Sequence, residues 1–312
     1  MKMGICGTGV IASSMATLMV GNGVDTVVVG RSQESLDKCQ QVVSERFDFL
    51  VAQDKVTASQ KAAAMGKLTL SEDYADLVGS EFVLEAVWEN IPLKQEIYGK
   101  VEQCVGKDTI IASATSALLP DVISEQMTLK ERFVVAHPIQ PADLQPIIEL
   151  VLGSETSVNA KEKAKDLLET VLKRQVVLME KAAPGFIYNR FQHLLFREGL
   201  YMVEQGIASA EDVDKTIRFA LSKRYGSIGL FEYFDDVGFS LHNVIGPSIY
   251  PHVCSDLHMN QLVTDGIAAG KTGIADGVGM HDWSNRDVAD YQYRKQAPYL
   301  DGFDWDLPES ES

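Results

Sequence analysis

Residues 1–12, MKMGICGTGVIA, place a short apolar run directly before a turn that contains two glycines. The turn has the pattern G-x-G-x-x-A, with Gly7, Gly9 and Ala12 at its set positions, and a second apolar run follows at 26–29. In a strand–turn–helix unit the first glycine makes the tight turn, and the second lets the backbone approach a pyrophosphate. The third small residue permits close helix packing, and the helix N-terminus favours the phosphate charge. The stretch predicts a Rossmann-type dinucleotide-binding unit; the alternative is a glycine-rich turn without a ligand.

The end of the second strand predicts which dinucleotide binds. Folds that bind NAD usually carry Asp or Glu there, roughly 20 residues after the glycines, to bind the ribose 2′-hydroxyl. Here the strand ends in Gly30, Arg31 and Ser32. No carboxylate stands at this point to repel a 2′-phosphate, whereas Arg31 and Ser32 could bind one. We therefore predict a preference for NADP(H) over NAD(H). The alternative is that Arg31 is solvated and that both cofactors bind.

Strand-like and helix-like patterns alternate over the first part of the chain. The further apolar runs lie at 67–70, 81–87, 109–112, 133–136, 146–152 and 175–179. This alternation is typical of an α/β fold with a doubly wound, mostly parallel sheet, which binds ligands at the carboxyl ends of its strands. After a hinge-like segment at 181–185 the spacing becomes helical. We predict a dinucleotide-binding domain at 1–183 and an all-helical C-terminal domain at 184–312.

The segment at 131–153, ERFVVAHPIQPADLQPIIELVLG, carries an ionisable residue in each of two buried-strand patterns. His137 ends the first run, and Glu149 lies among isoleucine, leucine and valine in the second. An ionised carboxylate in such a strand is costly unless it is paired. The proline-bracketed connection could bring imidazole and carboxylate together, which is the arrangement that a general acid–base catalyst needs. The alternative is a buried His–Glu pair that serves packing only.

Composition and charge exclude several classes of partner. The 312-residue chain is 46% hydrophobic, and its net charge of -16 argues against binding to nucleic acid or to an anionic membrane. Its four cysteines show neither C-x-x-C nor metal-ligand spacing, so we expect a reducing compartment and no metal. The N-terminus enters a glycine turn at once, which argues against a signal peptide. No apolar run reaches about 18 residues, so we expect no membrane-spanning helix. We therefore expect a cytoplasmic protein that binds a small molecule.

Further motifs carry a family resemblance that covers nearly the whole chain. They are EAVWEN at 85–90 with Lys94 after it, SATS at 113–116, the spacing between His137 and Glu149, and PGFIYNR at 184–190. Together with the glycine turn, these motifs resemble the 3-hydroxyacyl-CoA dehydrogenase family. They are most similar to the branch of that family that contains L-gulonate 3-dehydrogenase (lambda-crystallin) and carnitine dehydrogenase.

The resemblance implies roles for single residues. It places Glu89, together with Lys94, at the nicotinamide ribose, and it makes the His–Glu pair a catalytic dyad. It also implies that Ser116 and Asn189 contact the reacting oxygen of the substrate. One departure is Gln140, which stands where the family motif has asparagine and adds a methylene beside the substrate or the nicotinamide. A homodimer formed through the helical domain is implied by the resemblance alone.

Residues 223–229, KRYGSIG, resemble a segment of family members that act on small free carboxylic acids. The resemblance implies that the Arg224 guanidinium binds a substrate carboxylate through two hydrogen bonds, although a surface arginine is more often solvated. It further implies reversible hydride transfer between a nicotinamide cofactor and the 3-hydroxy group of a small 3-hydroxy acid. Two alternatives stay open. One is a dehydrogenase of 3-hydroxyacyl-CoA thioesters, and the other is a catalytically silent, crystallin-like cofactor-binding protein, for which Gln140 leaves room.

Overall fold

The computed structural model describes residues 1–308, in which eight strands form one sheet. The strands are β1 (Lys2–Cys6), β2 (Asp25–Val29), β3 (Leu68–Ser71), β4 (Phe82–Glu85), β5 (Ile110–Ser113), β6 (Phe133–Pro138), β7 (Ile147–Leu152) and β8 (Gln175–Met179). Their order across the sheet is β3-β2-β1-β4-β5-β6-β7-β8. β1 to β6 run parallel, β7 is antiparallel to β6, and β8 is parallel to β7. The predicted doubly wound, mostly parallel sheet is confirmed.

Helices connect the strands and then continue alone. Those among the strands are α1 (Val10–Gly21), α2 (Gln33–Ala52), α3 (Ala58–Met65), α4 (Ile91–Cys104), α5 (Pro120–Ile123) and α6 (Val158–Asp166). After β8 come α7 (Tyr188–Glu204), α8 (Ala210–Thr216), α9 (Ser222–Tyr225), α10 (Leu230–Val237), α11 (Phe239–Ile249), α12 (Gln261–Ala268) and α13 (Val288–Leu300). The helical C-terminal part is therefore confirmed. Across residues 1–308, no helix has the length and apolar character needed to span a bilayer.

Alternating side chains of the strands build a core on each face of the sheet. In β2, Val28 packs with residues of α1 and α2, whereas Val27 and Val29 pack with residues of α4 on the opposite face. Neighbouring residues of a strand point to opposite faces, so an uninterrupted apolar run buries both faces. This burial holds the strands rigidly and leaves their carboxyl ends, where the polar motifs follow, to form a site.

The described chain divides into two compact units. The first contains residues 1–187 together with residues 293–308, and the second is Tyr188–Gln292. The predicted division at 183/184 had instead assigned all of the C-terminal part to the helical domain. The last four residues of that predicted domain, 309–312, lie outside the described residues.

Packing explains why the C-terminal segment belongs to the first unit. Trp305 is only 7% exposed, and its ring lies edge-on to Phe47 of α2 with centroids 6.1 Å apart. A Cβ on Gly21 would lie 2.3 Å from the Trp305 ring, so only glycine allows this approach to α1. The backbone N–H of Asp306 also donates a hydrogen bond to the side-chain oxygen of Asn22 at 3.0 Å. Burial of this indole should stabilise the folded state by about 1.5–3 kcal/mol, as expected for a large apolar side chain.

Candidate active site

The antiparallel pairing of β6 and β7 places His137 directly opposite Glu149. Nδ1 of the imidazole lies 2.7 Å from Oε2 of the carboxylate, and the two residues are 6% and 1% exposed. The other carboxylate oxygen accepts a hydrogen bond from the backbone N–H of Ile187 at 2.8 Å. Both oxygens of this buried glutamate are therefore engaged, which offsets the cost of removing its charge from water. The strand register thus brings together the two residues that the sequence singled out.

The PGF sequence at 184–186 supports this pair from the next segment of chain. Gly185 and Phe186 both have positive φ, of 77° and 49°, which turns the chain so that the next N–H points at Glu149. Phe186 is fully buried, and its ring centroid lies 5.5 Å from that of His137. A left-handed conformation is unusual for phenylalanine, and burial of its ring in the core beside the imidazole offsets the cost.

Hydrogen bonding to the carboxylate also determines the tautomer of the imidazole. When Nδ1 of His137 donates its hydrogen to Glu149, Nε2 is unprotonated and can accept a proton. The carboxylate then lies where it stabilises the positive charge that the ring gains. The arrangement can therefore take a proton from, and return it to, an oxygen that reaches Nε2.

A groove of about 910 Å³ opens beside the glycine turn in the first unit. Gly7 has φ +123°, and a Cβ there would lie 2.5 Å from the carbonyl oxygen of Ala86, so the turn requires glycine. Gly9 meets nothing within 4 Å on its open side and caps α1 with its backbone, while the first turn of α1 contains no acidic residue. The free N–H groups and the dipole of α1 suit a pyrophosphate at this position. Ala12, in contrast, is fully buried, as its packing role predicts.

The end of β2 forms another part of the groove. A Cβ on Gly30 would lie 2.7 Å from the side chain of Leu36, so close packing of α2 requires this glycine. The Ser32 hydroxyl accepts a hydrogen bond from the N–H of Ser35 and caps α2, so its position is set by the helix. Arg31 is exposed and lines the groove. Of the two residues predicted to bind a 2′-phosphate, Arg31 is the one whose side chain lines the groove.

Glu89 and Lys94, both predicted to contact the cofactor, contact each other at 3.0 Å. Lys94 is only 1% exposed, and its ammonium also lies 2.8 Å from Glu85, which is equally buried. Glu85 accepts further hydrogen bonds from Tyr98, Ser113 and the N–H of Val87. Glu85 is a residue of this site for which the motifs predicted no role. An ionisable residue inside the apolar run FVLE was the signal for it, and it is the same signal that identified Glu149.

Two predicted residues lie near the ends of their strands and are exposed. Ser116 follows β5, and Gln140 begins the connection between β6 and β7. The same connection carries Asp143, which is fully buried and paired with Arg46 of α2 at 2.5 Å. Burial raises the pKa of Asp143, although the arginine beside it opposes the shift. This pair ties the connection that carries Gln140 to α2.

The second unit contains the two remaining predicted residues. Asn189 lies in the first turn of α7. Arg224 lies in α9, is exposed, and holds its guanidinium 4.1 Å from the ring centroid of Tyr233. Stacking of this kind orients a guanidinium while leaving its N–H groups free to bind an anion. Among residues 1–308, no group of three or more His, Cys, Asp or Glu side chains could hold a metal ion.

Two family profiles cover most of the chain. The profile described as 3-hydroxyacyl-CoA dehydrogenase, NAD binding domain, matches residues 2–182, and the profile for the C-terminal domain of the same enzymes matches residues 185–283. The chain belongs to the 3-hydroxyacyl-CoA dehydrogenase family. The resemblance drawn from the motifs is confirmed, and the protein belongs to a family of NAD-binding dehydrogenases that act on CH–OH groups.

Relatives within the 3-hydroxyacyl-CoA dehydrogenase family have different substrates. The 5-formyl-3-hydroxy-2-methylpyridine 4-carboxylate 5-dehydrogenase of Mesorhizobium japonicum is 26% identical over 280 residues, which are 89% of either chain. L-carnitine dehydrogenase of Pseudomonas putida is 32% identical over 225 residues, 72% of this chain and 69% of the relative. A crystal structure of the pyridine-carboxylate enzyme, described as an NAD+ dependent dismutase, has a TM-score of 0.86, 24% identity and 96% coverage of both chains. That structural likeness shows that the fold is shared.

Proposed function

We propose that this protein catalyses reversible hydride transfer between a nicotinamide cofactor and the 3-hydroxy group of a small 3-hydroxy carboxylic acid. The observation that carries the proposal is the 2.7 Å contact between His137 and Glu149, made across two strands at the end of a dinucleotide-binding sheet. Imidazole held by a buried carboxylate is the acid–base device that oxidation of an alcohol needs. Three details of this proposal go beyond the family assignment: the free carboxylic acid as substrate, the His137–Glu149 dyad as acid–base catalyst, and the preference between cofactors.

In oxidation, Nε2 of His137 accepts the proton of the substrate hydroxyl while the carbon–oxygen single bond becomes a carbonyl double bond. A nicotinamide held in the groove would accept the hydride that leaves the carbinol carbon with its electron pair. Glu149 stabilises the imidazolium that forms, and in reduction the same ring returns the proton. Ser116 and Asn189 are assigned to hydrogen-bond the reacting oxygen and to orient it.

The substrate assay tests this reaction against its two alternatives. Acetoacetate and acetoacetyl-CoA are each mixed with NADPH and with NADH, and the loss of absorbance of the reduced nicotinamide is followed. We expect turnover with the free 3-oxo acid. Turnover with the thioester alone would establish the CoA-dependent alternative. Binding of the cofactor without turnover of any 3-oxo compound would establish a catalytically silent protein.

Arg224 is proposed as the anchor of the substrate carboxylate. Its exposed guanidinium, stacked on Tyr233, is oriented for a bidentate contact, and a substrate named for one relative is itself a carboxylate. Arg224→Met should raise the KM for acetoacetate by about 10- to 100-fold, in line with loss of a charge-assisted pair. Lys223→Met removes the neighbouring positive charge and serves as the matched control. Equal KM values for the two variants would refute the assignment.

The preference for NADP(H) is proposed from Arg31. This exposed side chain lines the groove at the end of β2, and β2 ends without the carboxylate that would repel a 2′-phosphate. Lys100 also lines the groove, where it pairs with Glu96 at 2.7 Å, and Glu72 lies there as an opposing charge. The ratio of KM for NADH to KM for NADPH tests the preference. A ratio of one or less would refute it, and Arg31→Met should lower a ratio that exceeds one.

A homodimer and a cytoplasmic location complete the proposal. The helical unit exposes large apolar side chains, including Leu257 at 99%, Phe231 at 79% and Phe239 at 72%. Surfaces of this kind are typical of an interface with another protein surface, and a second copy of the chain is the proposed partner. Light scattering should give twice the mass of the chain. All four cysteines are free thiols, as expected in a reducing compartment.

A further inference from the structure

Five residues in the first unit, four through their side chains and Thr115 through both its hydroxyl and its backbone N–H, form a closed ring of hydrogen bonds, which we call the Glu85 ring. Lys94 contacts Glu85 at 2.8 Å and Glu89 at 3.0 Å. The hydroxyl of Thr115 donates to Oε1 of Glu89, and the N–H of Thr115 lies 3.3 Å from Oγ of Ser113. Ser113 closes the ring by donating to Glu85 at 2.7 Å. The ring joins the end of β4, helix α4 and the end of β5.

One side of the Glu85 ring holds the wall of the cofactor groove. Glu85 accepts a hydrogen bond from the N–H of Val87, and Val87 and Trp88 line the groove. Trp88 is 81% exposed, which is unusual for an indole unless a ligand covers it. The other side of the ring holds the loop that follows β5. The Thr115 hydroxyl accepts hydrogen bonds from the N–H groups of Ala117 and Leu118, at 3.3 and 3.0 Å.

We propose that Thr115 is a positioning residue that links the wall of the cofactor groove to the loop carrying Ser116. Thr115 is 2% exposed, and its single hydroxyl both donates to Glu89 and accepts from two amides of that loop. A displacement of Glu89 or of the groove wall therefore changes the position of the loop through one atom. A role for the loop in turnover rests on the proposed function; the link between groove and loop does not.

The charge of the Glu85 ring explains why the link is stiff. Two carboxylates and one ammonium meet where Glu85 and Lys94 are almost completely buried, so the ion pair has little water to replace a lost contact. The Glu89 side chain is 39% exposed, but each of its oxygens is engaged, one by Lys94 and one by Thr115. The carboxylate cannot rotate without breaking a bond to one of them. Binding of a cofactor against this wall should therefore reduce the motion of the Ser116 loop.

The test compares Thr115→Val, Thr115→Ser and Thr109→Val. Valine keeps the volume of threonine and removes the hydroxyl, whereas serine retains the hydroxyl. Thr109 is the matched control because it is also buried and its hydroxyl donates to the carbonyl of Ser80 at 2.7 Å, just before β5 begins. Amide hydrogen exchange of residues 114–119 is measured with and without NADPH or NADH, and kcat and KM are measured with acetoacetate.

In the wild-type protein the cofactor should slow exchange in the Ser116 loop. Thr115→Val should speed exchange there roughly fivefold, abolish the effect of the cofactor, and lower kcat/KM about tenfold or more. Thr115→Ser should restore the wild-type loop exchange and the wild-type kcat/KM. Thr109→Val should lower the melting temperature without changing loop exchange or kcat/KM. If the cofactor leaves loop exchange unchanged in the wild type, the proposal is overturned. This outcome does not depend on whether acetoacetate is a substrate. Altered exchange with unchanged kcat/KM would overturn the positioning role.

Discussion

Glu85 and Glu149 are both 1% exposed, and both lie in strands of the same sheet, yet their partners differ. Glu85 accepts from an ammonium, two hydroxyls and a backbone N–H. The partners of Glu149 include the backbone N–H of Ile187, which donates to it, and the imidazole of His137, which it faces. The first carboxylate has a permanent counter-charge beside it. The second has a partner that becomes charged only when it takes up a proton.

This difference shows how similar burial can serve two purposes. A carboxylate surrounded by permanent donors holds its neighbours in place. A carboxylate beside a neutral imidazole instead stabilises a charge that appears during a reaction. The partner, and not the depth of burial, therefore distinguishes a structural charge from a chemical one in this sheet.

Lys94→Met should have the largest effect, and it acts on stability. The substitution leaves the buried Glu85 without its counter-charge, so we expect a loss of about 3–5 kcal/mol in the free energy of unfolding. Urea unfolding measures it. Lys38→Met is the control, because Lys38 is exposed and pairs with Glu34 one helical turn away, a contact that contributes only about 0.3–0.5 kcal/mol. Similar losses in both variants would show that Glu85 does not depend on a permanent counter-charge.

His137→Gln tests the other carboxylate through catalysis. Glutamine cannot shuttle a proton, so kcat should fall by at least about 10²-fold while the cofactor still binds. Glu149→Gln should also lower kcat, because a neutral amide does not stabilise the imidazolium. Glu155→Gln is the matched control; Glu155 is exposed and lies 3.4 Å from Lys130. A kcat within twofold of wild type for His137→Gln would contradict the distinction between the two carboxylates.

Tyr98→Phe should have the smallest effect, a loss of about 1 kcal/mol from one hydrogen bond to Glu85. Burial and then the Glu85 carboxylate raise the pKa of Tyr98. The contribution of this phenol is therefore complete below the pKa of an unfolded tyrosine, about 10, and is lost as the pH rises above it. The variant should unfold with a weaker dependence on alkaline pH than the wild type. Identical pH profiles would show that the phenol does not titrate on unfolding.

Much of the candidate site could be predicted from local patterns. Gly7 and Gly9 were identified because a strand precedes them and a helix follows, and His137 and Glu149 because an ionisable group in an apolar run needs a partner. The same reasoning could have identified Glu85. Lys94 could not be interpreted fully, since its three-dimensional partners come from β4 and from the loop after it, and no spacing rule predicts that its ammonium is buried.

The sequence by itself determined the sheet, the glycine turn and the two carboxylate-bearing strands, because periodicity and turn chemistry are local properties. Tertiary structure decided which partners meet. The antiparallel register of β6 and β7 places Glu149 opposite His137. The packing of Trp305 against α1 makes the C-terminal segment part of the first unit. The physical reason is that the energy of a buried charge or of a large apolar side chain depends on what surrounds it. Those surroundings are assembled from segments that lie far apart along the chain.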